Sequence, residues 1–250
     1  DPETVEANYR RLQQLGLNDG KIASRAELLG MDPETVEANY RRLQQLGLKD
    51  GKIATQAQLL GMNPETVEAN YRRLQQLGLN DGKIASRAEL LGMDPETVEA
   101  NYRRLQQLGL KDGKIATQAQ LLGMNPETVE ANYRHHIGLL RQDYQDRKSG
   151  RDLLLTHAEL LGIPPKTIEE NVQYLHSIGV DYNNGLLLGT KTQTKRRKLA
   201  WMLRELFDIR NIAKEERRNT INRLYSFVRE SPDTLIYSIN TLEKKKERLR

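Results

Sequence analysis

The sequence contains no cysteine, one tryptophan and only two phenylalanines among 250 residues. The missing cysteine excludes a disulfide scaffold and fits a reducing intracellular compartment. No apolar run reaches the roughly 18 to 20 residues of a membrane span, and no signal peptide opens the chain, so a soluble protein with no membrane partner is expected. A phosphate-cradling glycine loop and a placeable serine-histidine-acid arrangement are also lacking. His135 and His136 are adjacent, hence about 100° apart on a helix, and neither His157 nor His176 stands in ligand spacing with them. These absences lead to the expectation of a non-enzyme without metal or cofactor.

What the sequence does contain is a repeat. The stretch Leu28 to Leu48 returns almost letter for letter at Leu59 to Leu79 and at Leu90 to Leu110, a period of 31 residues. A unit this short cannot bury its own apolar face and stacks on its neighbours, so the expected fold is all-α: an α-solenoid, a superhelix of two-helix repeats. Four units cover 1–124 and differ at five places. The differences travel together: Asn18, Ser24, Arg25, Glu27 and Asp32 in one version, and Lys49, Thr55, Gln56, Gln58 and Asn63 in the other, which makes the full period 62. Such near-identity points to a very recent duplication or an engineered, synthetic array. Beginning inside a repeat and without methionine, the chain reads as a fragment or a processed product.

The unit carries its own punctuation. Asp1-Pro2-Glu3 supplies an N-cap acceptor, a proline where no backbone donor is needed, and an acid in the positive first turn. Val5, Tyr9 and Leu12 then fall on one face until Gly16 stops the helix, which predicts a first helix from Pro2 to Leu15. Asp19 reads as a second N-cap, and Ile22, Ala26 and Leu29 mark one short second helix ending at Gly30. Such a helix is marginal alone and must be held by packing.

Beyond the copies the pattern decays. Residues 125–194 hold divergent repeats, including a unit eight residues longer than the rest with its extra length around Gln142 to Arg151. Residues 195–250 form a basic helical C-terminal cap. There the pattern predicts an amphipathic helix through Leu199, Met202, Leu203 and Leu206, a second from Lys214 to Glu230, and a last one from Pro232 to Arg250.

The residues Leu29-Gly30-Met31-Asp32-Pro33-Glu34-Thr35-Val36, with Leu43 and Leu46-Gly47-Leu48, resemble the repeat of the mitochondrial transcription termination factor (mTERF) family. The tail from Pro232 through Ile239, with Leu242 and Lys246, is similar to that family's proline-led motif. The resemblance implies a left-handed helical superhelix that binds DNA or RNA along a basic inner path. The copies depart from the family in having Arg25-Ala26 or Gln56-Ala57 where a proline is usual. Ala26, Gly30 and Val36 also match the spacing of helix-turn-helix modules, which would make the first helix of each following unit a recognition helix.

Charge locates the candidate contacts. Residues 1–124 carry 16 basic and 17 acidic side chains, 125–194 carry 7 and 9, and 195–250 carry 16 and 8, so the net charges are −1, −2 and +8 and sum to the total of +5. Binding by the copies therefore requires charge segregated onto one face. Stacking would place Arg11, Arg42, Arg73 and Arg104 in one ladder, beside a stripe of Lys21 and Arg25. The run Lys195-Arg196-Arg197-Lys198 opens a helix, an end whose dipole disfavours cations, and this marks it as a polyanion contact supported by Arg204, Arg210, Arg217 and Arg218. Asn8 recurs as Asn39, Asn70, Asn101, Asn132 and Asn171, and is expected to bond backbone and fix register rather than touch a nucleotide. The exchange of Arg25 for Gln56 suits guanine and adenine respectively, but the coupled change of Glu27 to Gln58 argues against a base-reading code. The alternative is a structural scaffold, or a solenoid holding protein or peptide on its concave face. In that case the basic residues would be scattered or paired with Glu3, Glu6 and Glu27.

Overall fold

The computed structural model describes the backbone of residues 1–143, 147–180 and 185–248, and the side chains of 1–140, 150–180 and 185–244. Among the described residues all regular structure is helical, in repeating units that make the chain an α-solenoid. By contact the chain divides into two compact units, Asp1–Pro126 and Glu127–Arg250.

In the first compact unit each copy has three parts. The first is a helix of 13 residues, Pro2–Gln14, Pro33–Gln45, Pro64–Gln76 or Pro95–Gln107. It starts as the sequence requires, with Asp32 accepting from the backbone N–H of Glu34 and Thr35 at 3.3 and 3.2 Å. It stops at Gly16, whose φ of 87° would cost an ordinary residue about 1 kcal/mol. There the N–H of Leu17 donates to Leu12 and that of Gly16 to Gln13, closing the helix end.

The expected single second helix is instead two elements. Asp19–Ala23 is a short α-helix and Ala26–Gly30 a 3-10 turn, and the other copies repeat the split. Its cap is Asn18, which accepts from Lys21 N–H at 3.0 Å. Asp19, the expected cap, accepts instead from the Tyr9 hydroxyl at 2.9 Å. The break falls at Arg25, with φ −133° and ψ 43°. Just before it the Ser24 hydroxyl donates back to the Lys21 carbonyl at 2.8 Å, as Thr55 does to Lys52 at 2.7 Å, a local bond that competes with helix continuation.

The turn is fixed to the first helix by a buried amide. Asn8 donates to the carbonyls of Leu29 and Met31, Asn39 to Leu60 and Met62, Asn70 to Leu91 and Met93, and Asn101 to Leu122 and Met124. Successive turns then pack closely. A β-carbon on Gly61 would lie 3.1 Å from Leu28 Cδ2. Around this frame Leu43, Ile53, Leu59 and Val67 are buried, each such side chain contributing about 1.5 to 3 kcal/mol.

The second compact unit keeps this plan with altered lengths. Its elements are the helices Pro126–Asp143 and Arg147–Thr156 with the turn Ala158–Gly162, then the helices Pro165–Ser177, Gly185–Gly189 and Thr192–Glu205, the turn Ile209–Asn211, the helix Arg217–Glu230, the turn Pro232–Leu235 and the helix Ile239–Arg248. Part of the expected eight-residue extension lies outside the described residues. Pro232 opens a 3-10 turn, the counterpart of Ala26–Gly30, and not the long last helix expected there. Residues 125–194 and 195–250, read separately from sequence, share one core that includes Leu140, Leu175, Met202, Leu224 and Leu235. His136 takes the place that Leu43 has in the copies. It is fully buried, its Nε2 lies 3.0 Å from the Leu160 carbonyl, and burial pushes its pKa down.

Candidate nucleic-acid interface

The predicted arginine ladder is present, interleaved with glutamates. Arg11 donates through Nε to Glu37 at 2.8 Å, and Arg42 and Arg73 form the same ion pair with Glu68 and Glu99 of the following copies. Each glutamate also takes an arginine one turn along its own helix, Arg41, Arg72 or Arg103. Partial burial pushes the Glu37 carboxyl up, but hydrogen bonds from Arg41 and Arg11 outweigh this and hold it below the usual carboxylate range. Glu68 is held low by its bonds to Arg42 and Arg72. Arg104 donates to Gln107 at 3.1 Å. Two arginines per glutamate across a repeat junction brace the copies against one another.

The second stripe is also engaged in packing. Lys21 is half-buried. Its counterparts donate to the next copy's short helix, Lys52 to the Ser86 carbonyl at 2.8 Å and Lys83 to the Thr117 carbonyl at 3.4 Å. Arg25 lies 4.0 Å from Glu27 and Arg87 lies 3.7 Å from Glu89, whereas Gln58 donates to Gln56 at 2.6 Å. The coupled exchange therefore replaces an ion pair by an amide pair at one contact.

In the run Lys195-Arg196-Arg197-Lys198 the two lysines are internal. Counted from the helix starts at Thr192 and Pro33, Lys195 stands where Val36 does and Lys198 where Asn39 does. Lys198 does the work of the asparagine, donating to the carbonyls of Leu235 and Ile236 at 2.6 and 2.8 Å. Lys195 is fully buried and donates to Asn171 Oδ1 at 2.7 Å and to the Thr190 carbonyl. Burial, with Lys198 nearby, pushes its pKa down to about 7. Neither amine faces solvent, and this corrects the reading of all four cations as one surface patch.

Arg196 and Arg197 are exposed. Arg196 lies over the Tyr174 ring, 5.3 Å from its centre, in a groove of about 450 Å³ between the helices Pro165–Ser177 and Thr192–Glu205. Sequence reasoning missed this groove, although Tyr174 replaces a ladder arginine at a countable position. Of the other supporting cations, Arg204 bonds Glu205 at 2.8 Å. Arg210, Arg217 and Arg218, together with Arg223, which the sequence did not single out, are exposed and have no acidic partner among the described residues. The described residues hold no cluster of metal-ligating side chains and no helix long and apolar enough to cross a membrane. No family model and no curated protein sequence matches the chain.

Proposed function

We propose that this chain is a non-enzymatic helical-repeat protein that binds DNA or RNA through the exposed arginines of residues 195–250, with the copied repeats as a scaffold. The observation that carries this reading is a contrast in how cations are used. In the copies Arg11, Arg42 and Arg73 are spent on Glu37, Glu68 and Glu99. In the segment of net charge +8, Arg197, Arg217, Arg218 and Arg223 stand in solvent without an acid among the described residues. Unpaired surface guanidinium groups are what a phosphate backbone requires. The resemblance to the mTERF repeat supports the same reading.

Titration of the whole chain with labelled single- and double-stranded DNA and RNA at several salt concentrations tests it. Affinity is expected to fall with salt, each arginine–phosphate contact adding roughly 0.7 to 0.9 to the logarithmic slope. Absence of binding at low salt would favour the second reading, a purely structural or peptide-binding solenoid. The saturated glutamates of the copies already fit that role for residues 1–124.

A further inference from the structure

We propose that the groove between the helices Pro165–Ser177 and Thr192–Glu205 is a stacking site for one unpaired nucleobase, so that the strand bound there is single-stranded. This rests on the nucleic-acid reading above and adds to it the form of the ligand.

The site follows from a change in the junction plan. In the copies the tenth residue of one long helix and the fifth of the next are arginine and glutamate, as in Arg42 and Glu68, and the two form an ion pair. At this junction the same places hold Tyr174 and Arg196. The ion pair becomes a guanidinium over a phenol ring at 5.3 Å, and no carboxylate binds Arg196 among the described residues. A groove of about 450 Å³ opens beside them, with Glu170, Gln173, Ser177 and Gln193 in its wall. That volume lies within the roughly 300 to 1,000 Å³ of small-ligand sites.

The lining selects for a base over a phosphate. An arginine plane and a tyrosine ring are surfaces on which unstacked bases rest. The Glu170 carboxylate repels phosphate and accepts from an exocyclic amine, as acids do from cytosine N4. Gln173 and Gln193 offer both donors and acceptors to the remaining polar edge. Phosphate charge is left to the exposed arginines outside the groove.

Fluorescence anisotropy on the full chain separates stacking from charge. The probes are an oligodeoxycytidine of about 12 nucleotides, an abasic strand of equal length and a duplex, a length that suits single-strand sites. Arg196→Lys keeps the charge and loses the plane, Tyr174→Ala loses the ring, and Tyr174→Phe keeps it; thermal melting checks that each variant is folded. Arg196→Lys and Tyr174→Ala are expected to weaken oligodeoxycytidine binding by about 5- to 150-fold, the range for one stacked base. Tyr174→Phe should bind as the parent does, and the abasic strand and duplex should be unaffected throughout. Unchanged oligodeoxycytidine binding by folded Arg196→Lys, or an equal loss on all three probes, would overturn the base site while leaving the nucleic-acid reading intact. Failure of the parent chain to bind any of these probes or their RNA counterparts would overturn both.

Discussion

The side-chain amide of Asn39 donates to the carbonyl of Leu60 at 2.7 Å, across 21 residues of chain. A second bond to Met62 at 3.1 Å ties the whole 3-10 turn to the first helix of its own copy. Asn39→Ala removes both donors and leaves two buried carbonyls unmet, which should cost about 1 to 3 kcal/mol in urea unfolding. Arg41→Ala, at a side chain 71% exposed, should stay within about 0.5 kcal/mol. Equal effects of the two would show that the amide does not fix the turn.

Burial separates equivalent positions along the array. Leu43 is 2% exposed and Val36 fully buried, whereas Val5 at the same place in the first copy is 40% exposed. Leu43→Ala should cost roughly 2 to 5 kcal/mol. Val5→Ala should change stability by less than about 0.5 kcal/mol, while Val36→Ala should be clearly destabilising. Denaturant midpoints for the three variants check this, and a Val5 effect as large as that of Val36 would contradict it.

Lys195 makes stability depend on pH above neutrality. Its amine titrates at about 7 when folded, against an ordinary value of 10.5. Between those values the unfolded chain holds the proton that the folded chain has released, so stability rises with pH through this window and is lowest below it. The tyrosines tied to acids, such as Tyr40, have raised pKa values and act only at higher pH. Urea midpoints at pH 7 and pH 9 should therefore increase in the parent chain, and Lys195→Met should lose most of that increase. An unchanged increase in the variant would show that this lysine keeps an ordinary pKa in the folded protein.

Much of the repeat was legible because its signals are local. Pro33 and Gly47 bound a helix wherever they occur, and the period of the apolar residues places Leu43 inside. The break at Arg25 was not legible, since neither proline nor glycine marks it; a side-chain bond from Ser24 and the demand of Asn8 for turn carbonyls set it. The ladder was half legible. Glu6 and Arg10, four apart, do pair at 2.7 Å, but the partner of Arg11 lies 26 residues ahead, and only stacking reveals it. Lys195 and Lys198 misled because a run of charge was read as surface. Counting from Thr192 instead aligns them with Val36 and Asn39, and the three-residue spacing between the lysines was the available signal.

On the proposed function, exposed arginines near the C-terminus bind nucleic acid while the array's arginines hold the repeats together. Two variants of the full chain test it against each other: Arg197, Arg217, Arg218 and Arg223 all changed to Gln, and Arg11, Arg42 and Arg73 all changed to Gln. The salt dependence of binding to one labelled oligonucleotide is measured for both. The first variant is expected to bind more weakly, with the logarithmic slope flattened by about three units, and to unfold at the parent's denaturant midpoint. The second is expected to keep the parent's slope and lose stability. The reverse pattern, with the slope flattened by the array variant and unchanged by the C-terminal one, would contradict the account.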